Sequence, residues 1–326
     1  MKILLGLITT AVQNMPLPFE LRYDAATGLA LGQRLRQEDA VAHDFTVGAP
    51  HGFAVLADGM GGHAAGDLAS QIAVTEMFSE LKMRSCDAAA LESNIQHALT
   101  EAIEEVNLCI ADVAEERSEE QIGQPMGSTL VAPIFFGNRL YWISVGDSPL
   151  FLFRDNSLVR LNEDHSAAAD IDQMCAEGLI DQQEAQTHPD RNCLTSVLIG
   201  DDIPRVDCSA DPTQLRPGDI VLAASDGLLF LHEQRIKETL EENQDRASAE
   251  IVSALLHDIE ALHDPEQDNV SICLIKLDIP GLPKTMRTAP TVSAANLAKK
   301  PGTVTVLAHQ NGKSTNVFCV SKSVKI

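Results

Sequence analysis

Paired cysteines are missing from this sequence. Its seven cysteines are odd in number, scattered, and form no CxxC pair. That argues against a disulfide framework or a zinc site and suits a reducing compartment. Long apolar runs are missing too. The longest near the N-terminus, Ile3 to Val12, is too short to span a bilayer. It follows a single lysine and resembles a weak signal peptide, but no clear small-x-small cleavage site comes after it. The reading is a cytoplasmic protein with no membrane span. Positive charge is scarce: 24 Lys and Arg stand against 47 Asp and Glu, for a net charge of -23. A field of that sign repels nucleic acid and anionic membranes and favours cations or basic partners.

What is present is enough for a folded body. The 326 residues are 44% hydrophobic, which supports a sizeable core in one large domain or two ordinary ones. The charge pattern sets one boundary. From Gly281 onward there is no Asp or Glu, while Lys284, Arg287, Lys299, Lys300, Lys313, Lys322 and Lys325 are basic. The expected organisation is an N-terminal extension over 1–18, a catalytic domain over 19–280 and a basic tail over 281–326. Thr303 to Ile326 contains two apolar β-prone runs that fit an added hairpin.

Three apolar stripes follow helical spacing. They are Val74, Met77, Phe78 and Leu81; then Leu91, Ile95, Ala98, Leu99, Ala102 and Val106; then Ile251, Leu255, Ile259 and Leu262. Core packing accounts for all of them. The strands come in a run: 129–136 and 139–145 around Gly137-Asn138, then 150–154 and 157–161 around Asp155-Asn156. Further strands are expected at 53–57, 220–224 and 270–277. Pro133 lacks an N–H and implies an edge or a bulge in its strand. Strand runs beside long helices indicate an α+β layered fold.

The acids fall at strand ends. Asp58-Gly59 follows one apolar strand, Asp226-Gly227 another, Gly146-Asp147 a third, and Asp268-Asn269 precedes a fourth. One Asp-Gly pair is usually a turn in which Asp bonds its own backbone. Four at apolar strand ends, with no Lys or Arg close by in sequence, are harder to assign to turns. Converging carboxylates repel one another unless protonated or bound to a cation. An oxygen-only set selects hard ions, which points to Mg²⁺ or Mn²⁺. The stretch Asp58-Gly-Met-Gly-Gly-His-Ala-Ala-Gly66 opens onto the first helix, and glycine there lets backbone, including the Gly59 carbonyl, approach an ion. No GK[ST] is present, which excludes a P-loop. Upstream, Arg34 stands just before the acidic pair Glu38-Asp39. Its planar fork suits a phosphate group while the acids face metal.

Together these residues resemble the metal-dependent protein phosphatase family, type 2C, in its bacterial branch. The resemblance spans roughly residues 19–278. Arg34-x-x-Gln37-Glu38-Asp39 is similar to the opening R-x-x-N-E-D, and Asp58-Gly-Met-Gly-Gly-His-x-x-Gly66 is the most specific motif. Gly127-Ser128-Thr129, Gly146-Asp147-Ser148, Asp164-His165-Ser166, a flap-like stretch from Glu177 to Thr195, Ser225-Asp226-Gly227 and Asp268-Asn269 follow in the family's order. The resemblance implies two antiparallel sheets face to face, flanked by helix pairs. It implies two ions, Mn²⁺ or Mg²⁺, bridged by Asp58, with the Gly59 carbonyl as a further ligand. Asp226 and Asp268 would hold one ion, and Glu38 with Asp39 the other. Asp147 matches a position linked to a third ion, and Arg34 matches the phosphate-binding arginine. Gln37, Pro149 and Ser196 depart from the family's common residues, and Met60 stands where some relatives carry a histidine acid.

The activity implied is hydrolysis of phosphoserine and phosphothreonine by metal-activated water, opposing a serine/threonine protein kinase. No Cys lies in a C-x₅-R loop, so a covalent phosphoenzyme is not expected. His63 and His165 are candidates for the proton donor, with a structural role the more common one for such residues. A rival reading, a binding module that keeps the fold without turnover, is disfavoured by retention of every metal carboxylate.

Overall fold

The computed structural model describes residues 22–46, 48–61, 64–119, 126–191, 193–278, 305–310 and 313–315. The strands in chain order are β1 (Arg22–Ala30), β2 (Asp39–Asp44), β3 (His51–Met60), β4 (Gly127–Ser128), β5 (Leu130–Phe136), β6 (Arg139–Val145) and β7 (Leu150–Arg154). They continue with β8 (Ser157–Arg160), β9 (Asp207–Cys208), β10 (Thr213–Gln214), β11 (Ile220–Ala224), β12 (Val270–Asp278), β13 (Thr305–Gln310) and β14 (Lys313–Thr315). The helices are α1 (Ala64–Arg84), α2 (Ala88–Ser93), α3 (Ile95–Glu119), α4 (Ala168–Ala176), α5 (Gln182–Gln186), α6 (Glu233–Asn243) and α7 (Ser248–Leu262).

Two sheets result. One runs β14-β13-β1-β12-β11-β7-β8; the other runs β10-β6-β5-β3-β2, with β4 on β3 and β9 on β6. Pairing is antiparallel except between β1 and β13, which are parallel. The alternation of side chains explains the layers. On β3, Ala54 and Leu56 face a core between the sheets, while Phe53, Val55 and Ala57 face a core shared with α1 and α3. On β11, Val221 and Ala223 face the inter-sheet core, and Ile220, Leu222 and Ala224 pack with α6 and α7. Both faces of each central strand are therefore buried, and the result is helices, sheet, sheet, helices. Each fully buried Leu or Ile contributes about 1.5–3 kcal/mol to this stack. Among the described residues no helix is long and apolar enough to cross a membrane.

Three sequence expectations need correction. Pro133 is on neither an edge nor a bulge: β5 lies between β3 and β6. Its ladder to β3 is bridged at Phe53–Ile134 and again at Leu56–Val131 with no shift of register. The missing N–H is accommodated by a gap in one ladder rather than by an extra residue. The Leu91–Val106 stripe is not one helix, since Asn94 separates α2 from α3 and its N–H bonds the Leu91 carbonyl. Leu262 is not core but 45% exposed, in the last turn of α7, where His263 at φ 51° ends the helix. At the far edge, β13 and β14 form a hairpin against β1.

Candidate active site

Strand register brings the acids together. β2 and β3 pair with Asp39 opposite Asp58. Asp147 leaves the end of β6, and Asp226 follows β11 at the start of a 3-10 turn, Asp226–Phe230. Asp268 precedes β12, the neighbour of β11. Each sheet thus delivers carboxylates to one end of the sandwich. A cleft of about 820 Å³ opens there, lined by Arg34, Glu38, Asp58, Gly59, Asp147, Asp226 and Asp268 among others. Asp39 is placed differently: it is 6% exposed and lies behind the cleft wall, with Oδ2 accepting a hydrogen bond from Ser225 Oγ at 2.7 Å.

The wall around Asp58 is held by backbone. Asp58 N–H donates to Thr129 Oγ1 at 3.0 Å, Thr129 N–H donates to the Asp58 carbonyl at 2.9 Å, and Gly59 N–H donates to the Glu38 carbonyl at 3.0 Å. A Cβ on Gly59 would stand 2.0 Å from the Gly66 carbonyl oxygen, and one on Gly66 would stand 2.8 Å from Glu38 Oε2. No other residue fits either position without displacing strand or helix. The first helix begins at Ala64, so Gly66 lies inside its first turn and the glycine stretch serves close approach. Asn269 Oδ1 accepts the Glu38 N–H at 2.7 Å while its Nδ2 donates to the Leu31 carbonyl, tying the Arg34–Glu38 loop to β12.

Electrostatics mark the cluster off. Burial, then Asp226 and Asp268 against the relief from Ser225, pushes Asp39 up to about 7. Asp147 is pushed up to about 7 by burial and then by Asp226. Asp58 is raised well above the usual carboxylate range by burial and then by Asp39, Asp226 and Asp147. Asp226 is raised by burial and then by Asp268. Oδ1 of Asp39 and Oδ1 of Asp226 are buried without a hydrogen-bond partner. Among the described residues two cations approach the acids: Arg34, half-exposed, with Nη2 donating to Asp268 Oδ2 at 2.5 Å, and Arg160, with Nη2 donating to the Asp147 carbonyl at 2.7 Å. As the side chains stand, no three His, Cys, Asp or Glu among the described residues close round one point.

The other expected residues resolve as follows. His165 is fully buried, its Nδ1 accepts the Gly146 N–H at 3.2 Å, and burial lowers its basicity, which fits a structural part. His63 lies outside the described residues. Met60 is 42% exposed on the cleft rim. Ser196 exchanges hydrogen bonds with the Arg205 carbonyl and N–H, and Pro149 offers its carbonyl to Ala224 N–H. The flap-like stretch supplies Cys193 and Leu194 to the cleft, and Val197 just beyond it also lines the wall. Thr129, Ser225 and Asn269 position the acids, a part the sequence signalled only by placing small polar residues beside them.

A family model described as Protein phosphatase 2C matches residues 30–259. The chain belongs to the protein phosphatase 2C family. It is a metal-dependent serine/threonine protein phosphatase of that family. Among its relatives are serine/threonine phosphatases named stp. The Listeria welshimeri protein is 37% identical over 174 residues, 53% of this chain and 65% of that one, which is just under two thirds of its length. The Listeria monocytogenes protein is 33% identical over 229 residues, 69% of this chain and 84% of that one. The crystal structure of the Mycobacterium tuberculosis serine/threonine phosphatase PstP/Ppp superposes with a TM-score of 0.63 at 30% identity, covering 79% of this chain and 99% of that one. A second structure, of the PstP catalytic domain in complex with 2 manganese ions, gives 0.57 at 29% identity, covering 79% and 98%. The two antiparallel sheets with outer helices are the fold of these phosphatases.

Proposed function

We propose that the cleft hydrolyses phosphoserine and phosphothreonine in proteins with two divalent ions, Mn²⁺ or Mg²⁺, held chiefly by Asp58, Asp226 and Asp268 on one side and Asp58, Glu38 and Asp39 on the other. The observation that carries this is the pair of buried, unpartnered carboxylate oxygens on Asp39 and Asp226 within a set of acids that raise one another's proton affinity. A buried acceptor without a donor is costly, and several together fit a group that brings positive charge. The all-oxygen donor set suits a hard ion. When bound, such ions supply an acidified water and charge that offsets the phosphoryl oxygens.

The chain's own residues do the rest. Asp58 reaches the acids of both sheets and is the natural bridge. The Gly59 backbone lies where no side chain intrudes. Arg34 is half-exposed at the cleft and its fork can take two phosphoryl oxygens once it leaves Asp268. Asp147 is the place for a third ion. Leu194 and Val197 bring apolar surface to the cleft. The opposing enzyme is a serine/threonine protein kinase and the setting is the cytoplasm. The catalytic residues all lie within 19–280, and β13 and β14 from the basic tail add to its β1 edge.

Metal-stripped protein tests the reading, assayed with a small aryl phosphate and a phosphothreonine peptide. Turnover is expected to vanish in EDTA and return with Mn²⁺ or Mg²⁺. Full turnover in EDTA would overturn it.

A further inference from the structure

Beside the cleft a second hollow of about 470 Å³ opens along the loop that leads into β12. It shares Gln33, Arg34, Asp226 and Asp268 with the cleft and adds Phe230, Pro265, Glu266 and Gln267. The shared residues make the two hollows adjoin.

Three of the added residues have complementary chemistry. Gln267 is 5% exposed, and its Nε2 donates to the carbonyls of Gly227 and Asp268, both at 3.2 Å. That fixes the amide and leaves Oε1 buried with no partner, an acceptor in want of an N–H. Glu266 is an exposed carboxylate in a turn closed by its own N–H on Asp264 Oδ1 at 2.8 Å. Phe230 is 36% exposed, so part of its ring faces solvent at the hollow's wall. An aromatic wall, a carboxylate and an unpaired acceptor together fit a side chain with an apolar stem and a donor-rich cationic head. Arg34 does not fill that role, since its guanidinium is on Asp268 here and on the phosphate in the proposed complex. The net charge of -23 favours the same choice at longer range.

We propose that this hollow binds the side chain of an arginine or lysine flanking the phosphoresidue, so that the substrates are phosphoproteins with a basic residue beside the phosphorylated serine or threonine. The proposal rests on the phosphatase reading of the adjoining cleft. Phe230 packs the stem, Glu266 pairs with the head, and Gln267 Oε1 takes one of its hydrogens.

The test uses the full chain with Mn²⁺ and phosphothreonine peptides identical except for Arg, Ala or Glu at one flanking position. For each, kcat/KM is divided by the value for a small aryl phosphate, which has no chain to reach the hollow. The Arg peptide is expected to exceed the Glu peptide by about tenfold, mainly through KM and less so at high salt. Glu266→Lys should cancel or invert that order, and Glu266→Gln should weaken it by a few-fold, about the reach of one exposed ion pair. Anisotropy of the same labelled peptides in EDTA reads binding without turnover and should rank them alike. Equal ratios for Arg and Glu peptides, or a Glu266→Lys variant with wild-type preference, would overturn the proposal. Absent aryl turnover with Mn²⁺ would overturn the phosphatase reading instead, and the anisotropy ranking would still decide the hollow.

Discussion

Two buried aspartates in this sandwich have opposite surroundings. Asp219 is 3% exposed and enters β11 from the end away from the cleft. Arg154 meets it with both arms, Nε to Oδ1 at 2.9 Å and Nη2 to Oδ2 at 2.5 Å, and Arg216 N–H adds a third bond at 2.6 Å. Asp39 is 6% exposed and has one hydroxyl donor, with Asp226 and Asp268 for charged neighbours and one oxygen unpartnered. The first carboxylate has its counter-charge inside the protein and serves as architecture. The second has none among the described residues, which leaves room for a bound cation to supply it. Burial alone does not separate them; the neighbours do.

Changing the acid raised by the most charged neighbours should have the largest effect. Asp58→Asn keeps the size, removes the charge and one acceptor oxygen, and should lower kcat by on the order of 10³-fold. Asp226→Asn and Asp268→Asn should lose less and recover in part with excess Mn²⁺, whereas Asp58→Asn should not recover. In EDTA, Asp58→Asn should melt no lower than wild type, because one crowded carboxylate is gone. Activity titrated against Mn²⁺, with melts alongside, measures both halves. Near-native turnover of Asp58→Asn would break the comparison at its functional end.

The two Arg–Asp pairs give the next effects. Arg34 keeps 55% of its side chain exposed, while Arg154 keeps 24%. Arg34→Ala should raise KM and lower kcat/KM by about 10–100-fold with little change in melting, since an exposed pair is worth about 0–1 kcal/mol. Asp219→Asn should do the reverse. It should cost about 3 kcal/mol of stability, the low end for a broken buried pair because water still reaches Arg154, and leave kcat/KM near wild type. Urea unfolding and steady-state kinetics on both variants would show whether the two aspartates divide as argued.

How far the sequence carried this depends on where the information lay. The inner strands β6, β7 and β11 were legible because their runs are short and apolar, and turn residues punctuate the meander; Asp155 and Asn156 both adopt positive φ, as a two-residue hairpin turn demands. β1 and β2 were not, since Arg22–Ala30 and Asp39–Asp44 mix charged, small and polar residues and owe their strand form to pairing with β12 and β3. Pro133 misled because a proline in a central strand can be absorbed by a local gap. The acids were legible as an ordered set at strand ends. That Asp39 stands opposite Asp58 depends on register, and that Ser225, Thr129 and Asn269 anchor them depends on contacts between residues distant in sequence. Neither is written in local pattern.

The smallest expected effect comes from titrating the metal-free cluster. Asp39 and Asp147 have their folded values raised from the ordinary 3.8 to about 7. A raised value means that the folded state binds the proton more tightly than the unfolded chain. The stabilisation this gives is therefore fully present below about pH 4 and is lost as pH rises through about 7. In EDTA these acids should lower the melting temperature by several degrees between pH 5 and pH 8. A cation favours the ionised form, so the increment in melting temperature from added Mn²⁺ should grow over the same interval. Asp219→Asn should leave this pH profile parallel to wild type, displaced downward, because Arg154 and Asp219 lie outside the cluster. Asp58→Asn should flatten it, because Asp58, itself raised well above the usual carboxylate range, no longer titrates. Differential scanning fluorimetry of the three proteins across that range, with and without Mn²⁺, measures this directly. A wild-type melting curve that climbs through pH 7 in EDTA would mean the cluster finds its counter-charge within the chain, and Asp39 would then belong with Asp219.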